Sequence, residues 1–315
     1  MIYLILALWI VSAFIILWER NMVRMIVWLG LSSFIAAFAF LLLGSPDVAM
    51  AEAAISAFTT VFFVICFEKY YGLRNVPDLL NKDGEEGKRN YVKLIPAAAF
   101  TVFLFGLFVY FIPDNYFNTY LKDLYITRFN QDVGGYNAVT SIYLGYRVYD
   151  TLFEALMLVI AVVAVIHMSH FSEISVKEGK HSEMEKSHMA LFLLRIAAPL
   201  TVLFGIYLIA NGFITAGGGF QGGLALAGFF VCRYMIYDIY DVPIKKINKM
   251  EEIVFAAITI LAALIIFQSA IEDLPYQIVP LFQNIYLVVM NGLIGAKVAC
   301  GFIILFYRYV AIERN

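Results

Sequence analysis

Nine apolar runs, most of them about 20 residues long, constrain the fold of this sequence more than any other feature. A helix that crosses the hydrocarbon core of a bilayer needs roughly 20 apolar residues. In lipid the backbone must satisfy its own hydrogen bonds, which only helices and closed barrels achieve. The runs are continuous rather than alternating, so they predict helices. They lie at residues 1–18, 24–43, 47–67, 93–112, 147–168, 190–210, 219–237, 251–271 and 285–307.

The composition agrees with a chain that lies mostly in lipid. Of the 315 residues, 62% are hydrophobic and only 15% are charged, which is more apolar surface than one globular core can bury. The formal net charge of −2 gives no electrostatic footprint for nucleic acid. We therefore expect an all-α integral membrane protein whose surroundings are membrane lipid, with no soluble catalytic domain and no nucleic-acid partner.

The distribution of basic residues predicts the orientation. Seventeen of the 22 Lys and Arg residues fall in one set of connections and ends, and three fall in the other set. The remaining two, Arg195 and Lys297, lie inside apolar runs. Because positive charge is retained on the cytoplasmic side, we expect the N-terminus outside and the C-terminus in the cytoplasm, which agrees with nine helices.

Two charged inner segments divide the chain into modules. We expect a three-helix module at residues 1–92 and a two-helix module at residues 93–170. The second module contains an extracellular segment, 113–146, whose Tyr, Phe and Asn content is typical of the membrane surface. A cytoplasmic linker at residues 171–189 leads to a four-helix module at residues 190–315.

Four carboxylates at the starts of two apolar runs are candidate ion ligands. Asp47 and Glu52 begin the third run, and Asp150 and Glu154 share one face at the start of the fifth. An ionisable side chain costs several kcal/mol in hydrocarbon, so each needs a reason to be there. They can bind a cation or relay a proton. The alternative for Asp47 and Asp150 is helix capping, and for Glu52 and Glu154 it is a hydrogen bond to a neighbouring helix or subunit.

Lys297 lies near the middle of the last apolar run, in NGLIGAKVACGF. Its stem is too short to bring the ammonium group to either surface, so it is a candidate counter-ion for a passing cation or proton. The alternative is a fixed salt bridge to a carboxylate of another subunit. Glycine and alanine residues around Lys297 permit close approach of another helix.

Five glycines within seven positions interrupt the chain between the sixth and seventh apolar runs. Such a stretch is a candidate helix break whose free N–H groups can bind an anion or carboxylate. A tight turn with close helix packing remains the alternative. These residues are Gly217, Gly218, Gly219, Gly222 and Gly223.

The chain carries no motif for haem, flavin or an iron–sulfur cluster, so we expect no cofactor and no resident metal in it. All four histidines (His167, His170, His181 and His188) lie between the fifth and sixth runs, where a solvated inner loop is expected. A pH-sensing or metal-binding role for them stays open. The three cysteines lie inside apolar runs and are interpreted as small buried side chains.

These segments resemble the Mrp family of multisubunit antiporters. The segment PDVAMAEAAISAFTTVFFVI at residues 46–65 and the segment at residues 145–165 resemble the C-terminal region of the Mrp A subunit. Residues 190–315 resemble the Mrp B subunit through AGGGFQGGLALAG and GAKVACG. In order, the segments are similar to the D, E and F subunits of archaeal membrane-bound hydrogenase and sulfane-sulfur reductase complexes. One departure is Ala216, since the B-type motif usually has Pro there and a His a few residues earlier.

The resemblance implies a membrane subunit of a Na⁺/H⁺ antiporter module in a prokaryotic cell membrane. Its expected partners are other Mrp-type subunits and a hydrogenase-like or complex I-like redox module. Asp47, Glu52, Asp150, Glu154 and Lys297 would then line or gate a path for Na⁺ and H⁺, the transported ions. The alternative is a non-conducting subunit that docks antiporter subunits to a redox arm.

Overall fold

The computed structural model describes residues 2–19, 21–71, 94–110, 120–168, 188–237, 243–271 and 283–311, and these contain helices and no strand. All nine predicted apolar runs coincide with helices. The helices are α1 (Ile2–Trp18), α2 (Met22–Leu42), α3 (Pro46–Tyr71), α4 (Leu94–Tyr110), α5 (Tyr120–Asp132), α6 (Ala138–Ser141), a π-helix (Ile142–Tyr146), α7 (Val148–Met168), α8 (His188–Asn211), α9 (Gly219–Tyr237), α10 (Ile244–Ile271) and α11 (Gln283–Ala311).

Local sequence signals set several helix ends. Asn21 caps α2, since its side-chain oxygen accepts hydrogen bonds from the backbone N–H groups of Val23 and Arg24. Pro46 is the first residue of α3, where the missing N–H costs nothing. Gly44 takes a positive φ of 75° in the turn between α2 and α3. These signals separate two long helices with only a short turn.

The chain forms two compact units, Met1–Tyr70 with Arg128–Asn315, and Tyr71–Thr127. The smaller unit contains α4 and most of α5. In the larger unit α11 is central and contacts α7, α8, α9 and α10. Leu287, Met290 and Ile304 of α11 are fully buried in its core.

Seven helices of the described residues are long and apolar enough to cross a membrane: α2, α3, α7, α8, α9, α10 and α11. Helix α1 is apolar but shorter. Large hydrophobic side chains remain exposed along α2, α7 and α8, as expected for surfaces in contact with lipid or other subunits. The all-α, multi-pass architecture is therefore confirmed. Nine crossings stay a prediction, and most of the predicted linker (171–187) lies outside the described residues.

One end of the larger unit gathers segments that are far apart in sequence. The Asn137 side chain donates hydrogen bonds to Asp47 at the start of α3 and to the carbonyls of Gly212 and Thr215 after α8. At the start of α11, the Gln283 side chain donates to the carbonyl of Gln131. The starts of α3, α6 and α11 and the α8–α9 connection therefore lie at the same end, as alternating membrane crossings require.

Candidate functional site

A buried ion pair joins the last two helices. Lys297 of α11 pairs with Glu251 of α10, and their exposed fractions are only 1% and 2%. The ring centroid of Phe255, one turn further along α10, lies 5.3 Å from the Lys297 Nζ atom. Lys297 therefore meets a carboxylate of its own chain.

Sequence reasoning missed Glu251 because the predicted helix began at residue 251. In the structure α10 begins at Ile244, so Glu251 lies two turns inside the helix, about 10 Å from its start at 1.5 Å per residue. The apolar residues that follow Glu251 and Glu252 suggested a membrane boundary at that point. The signal that could have found Glu251 is the preceding helix-compatible segment IKKINKM.

Small residues bring α9 and α11 into close contact near the pair. A Cβ atom at Gly223 would lie 2.9 Å from the Cβ atom of Val298, and one at Gly219 would lie 2.8 Å from the Cβ atom of Ile294. Larger side chains would push the helices apart. At Gly219 and Gly223 the structure therefore has the close helix packing that the sequence left as the alternative.

The glycine-rich connection between α8 and α9 does bind a carboxylate, and that carboxylate is Asp47. The backbone N–H of Gly217 donates to Asp47 Oδ1 at 3.1 Å, and the Asn137 amide donates to the same oxygen at 2.9 Å. Gly217 has a φ of 151°, a region that other residues rarely adopt. The interruption between helices α8 and α9 thus leaves the Gly217 N–H group free to hold Asp47 at the start of α3.

An asparagine supports the start of α9. Asn291 of α11 is fully buried, and its Oδ1 atom accepts hydrogen bonds from the Gly219 N–H and from the Tyr143 hydroxyl, each at 3.1 Å. Neither Asn291 nor Tyr143 was singled out from the sequence. A signal for Asn291 was available in principle, since it is a polar residue inside an apolar run.

The phenol of Tyr143 lies in the π-helix that precedes α7. Burial raises the pKa of Tyr143, the hydrogen bond with Thr140 opposes that rise, and the charges of Asp47 and Glu154 add to it. Tyr143 therefore stays neutral and keeps donating to Asn291.

The other predicted acids lie elsewhere. Glu52 accepts a hydrogen bond from the Ser33 hydroxyl of α2. Asp150 pairs with Arg147, and both side chains are about half exposed. Glu154, one turn further along α7, is exposed. The five predicted residues therefore do not form one site. Lys297 and Asp47 lie in separate buried networks, and Glu52 faces α2. Asp150 and Glu154 of α7 lie near the surface of the bundle.

The histidines are only partly described. The ring of His167 is 3.1 Å from the carbonyl of Val163, and His188 begins α8. His170 and His181 lie outside the described residues. Within the part of the chain that the structure describes, no three His, Cys, Asp or Glu side chains are grouped to hold a metal ion.

Two family models match the chain in separate regions. Residues 7–71 match the MbhD model, which represents the D subunit of MBH, and residues 189–313 match a domain related to the MnhB subunit of a Na⁺/H⁺ antiporter. The first region contains Asp47 and Glu52, and the second contains the glycine-rich connection, Glu251 and Lys297.

A curated antiporter subunit is similar to part of this chain. "Putative antiporter subunit mnhA2" of Staphylococcus saprophyticus is 30% identical over 158 residues, which cover 49% of this chain and 18% of that protein. This chain thus spans less than a fifth of that relative's length.

Two solved structures share the fold. A chain of the Mrp complex from Dietzia sp. DQ12-45-1b matches with a TM-score of 0.65 and 20% identity, over 95% of this chain and 34% of that one. A chain of the membrane-bound sulfane sulfur reductase, an archaeal respiratory membrane complex, matches with a TM-score of 0.56 and 22% identity, over 71% of this chain and 99% of that one. The matches thus show one polypeptide that combines a region similar to MbhD, residues 7–71, with a region similar to the MnhB-related domain, residues 189–313.

Proposed function

We propose that this chain is a membrane subunit of a cation/proton antiporter module and that it contributes part of the path for Na⁺ or H⁺. The single observation that carries the proposal is the Glu251–Lys297 pair. Burying two opposite charges between membrane helices costs more free energy than burying apolar side chains there. A functional use therefore explains the pair better than stability does. The similarity to antiporter subunits indicates that this use is ion transport.

The pair can pass on a cation or a proton while the buried site itself carries no net charge. When a cation approaches Glu251, it competes with Lys297 for the carboxylate, and the displaced ammonium can release a proton. Each step keeps the buried site near neutrality, which a low-dielectric medium demands. Glu251 lies near the start of α10, at one end of the bundle. Asp47, Asp150 and Glu154 lie nearer the other end, where their carboxylates would attract cations.

The finer topology is part of the proposal. We infer nine crossings with the N-terminus outside and the C-terminus in the cytoplasm of a prokaryotic cell, because the basic residues are so unevenly divided. The proposed partners are the other subunits of the antiporter module and a hydrogenase-like or sulfur-reducing redox arm. We propose no cofactor in this chain, whose transported ions would be Na⁺ and H⁺.

The test is Na⁺-dependent proton exchange in membrane vesicles that carry the whole complex at equal assembly. Glu251→Gln is compared with Glu252→Gln, its matched control, because Glu252 is the next residue but is exposed and hydrogen-bonded to Asn248. Glu154→Gln is included because Glu154 is exposed, so its substitution leaves the packing of the helices intact. Loss of exchange in Glu251→Gln or Glu154→Gln, with Glu252→Gln unchanged, supports the proposal. Unchanged exchange in all three variants contradicts it.

A structural role is the second candidate, and one observation favours it. Asp47, a predicted ion ligand, is occupied by hydrogen bonds that tie α3 to the glycine-rich connection. A scaffold that docks antiporter subunits to a redox arm needs such ties and no path. Under this candidate, neutralising Glu251 lowers the yield of assembled complex but leaves the exchange rate per assembled complex unchanged.

A further inference from the structure

A cavity of about 310 Å³ lies between α1, α2 and α3, apart from the buried ion pair. Its lining includes Trp9 of α1, Ser32 and Ser33 of α2, and Glu52, Ser56 and Thr59 of α3. Both α2 and α3 are membrane-spanning helices by length and composition. A carboxylate is costly at such a position, so Glu52 needs partners that compensate its charge.

Several side-chain oxygens line this cavity. The hydroxyl of Ser33 donates to Glu52, that of Ser56 donates to the carbonyl of Gly30 at 2.8 Å, and that of Thr59 donates to the carbonyl of Ile55 at 2.8 Å. A hydroxyl that donates its hydrogen in this way keeps its oxygen lone pairs for another partner. The cavity therefore combines one negative charge with several electron-rich oxygens.

The chemistry of the lining selects a small monovalent cation. One carboxylate balances one positive charge, and no Lys, Arg or His is among the lining residues that the structure describes. The oxygens are hard ligands, and no Cys or His supplies the softer atoms that zinc or copper prefers. At about 30 Å³ per water molecule, the volume holds about ten waters, so a cation can enter with part of its hydration shell.

We propose that this cavity is a Na⁺ site in which Na⁺ and a proton compete for the carboxylate of Glu52. The inference rests on the proposed function and locates a binding step at a place remote from the Glu251–Lys297 pair. Among the described residues that line the cavity, no second titratable group faces Glu52. The exchange of ligands at Glu52 therefore involves one Na⁺ for one proton.

The experiment measures equilibrium binding of ²²Na⁺ to the purified whole complex, with choline replacing Na⁺ to hold the ionic strength. Glu52→Gln is expected to bind one Na⁺ fewer per complex, and wild-type binding at this site is expected to weaken when the proton concentration is raised at constant Na⁺. Thr59→Val, which removes one oxygen and keeps the shape, is expected to weaken binding several-fold. Thr59→Val also tests the site if Glu52→Gln fails to assemble. Glu252→Gln is the control and should bind like wild type.

The outcomes separate the site from the proposed function. Equal Na⁺ binding by wild type and Glu52→Gln, or by wild type and Thr59→Val, overturns the site and leaves the exchange experiment above unaffected. Loss of one Na⁺ in Glu52→Gln supports the site, even if the complex shows no exchange at all, in which case only the conducting role is refuted.

Discussion

Removing either member of the Glu251–Lys297 pair should destabilise the protein, with opposite pH dependence for the two variants. Lys297→Met leaves a buried carboxylate, and Glu251→Gln leaves a buried ammonium. Both side chains are almost fully buried, so solvent cannot screen the charge that remains. The cheapest response is to neutralise that charge by taking up or releasing a proton.

The free energy needed to neutralise the remaining charge sets the size of the destabilisation. For a carboxyl group with an ordinary pKa of about 4.3, protonation at pH 7 costs about 4 kcal/mol, and for a lysine with a pKa of about 10.4, deprotonation costs about 5 kcal/mol. These values agree with the roughly 3–5 kcal/mol measured when one partner of a buried pair is removed. The double variant leaves no charge and should lose less than either single variant.

The sign of the pH effect follows from the proton balance. Folded Lys297→Met carries an extra proton on Glu251, so its deficit relative to wild type should shrink by about 1.4 kcal/mol for each pH unit below 7. Folded Glu251→Gln lacks the proton of Lys297, so its deficit should shrink by the same amount for each unit above 7. The stability deficit of Lys297→Met should therefore be smallest at low pH, and that of Glu251→Gln should be smallest at high pH.

The assay is denaturant-induced unfolding in micelles at about pH 5.5, 7 and 8.5, followed by tryptophan fluorescence and compared with wild type at each pH. The Glu252→Gln variant should stay within about 0.5 kcal/mol of wild type, because an exposed substitution leaves no buried charge. Deficits that match this control, or that do not change with pH, would show that the pair is hydrated and would refute the reasoning.

Three further predictions concern the other buried network. Asp47→Asn should lower the unfolding free energy by about 1–3 kcal/mol, since it weakens hydrogen bonds to a buried anion, whereas Asp150→Asn, at a half-exposed pair, should cost less than about 1 kcal/mol in the same assay. Gly217→Ala should cost about 1–3 kcal/mol because its φ of 151° is strained for alanine and the new Cβ atom would lie 3.1 Å from a backbone oxygen, and hydrogen exchange of the α8–α9 connection should rise. Because burial raises the pKa of Tyr143, the stability of wild type relative to Tyr143→Phe should fall as the pH rises above about 10, where the unfolded phenol ionises and the folded one does not; a constant difference in unfolding free energy would contradict the burial.

Much of the fold follows from local sequence. Runs of hydrocarbon length must be helices in a bilayer, since no other open structure satisfies the backbone there. Helix α10 is the exception at its edge: its first two turns are polar, so hydropathy alone placed the start at residue 251 and not at Ile244. Polar helical turns that leave the membrane give no apolar signal, which is why Glu251 was missed.

The sequence by itself determined that this is a helical membrane chain and that Lys297, Asp47 and Glu52 need explanation, because a charge in an apolar run is costly wherever the run packs. Only the tertiary structure decided their partners. Glu251 lies 46 residues before Lys297 in the sequence, and Asp47 and Gly217 are 170 residues apart. Such pairs depend on which helix faces meet, and that is set by the fit of small and large side chains across the whole bundle, which no local pattern records.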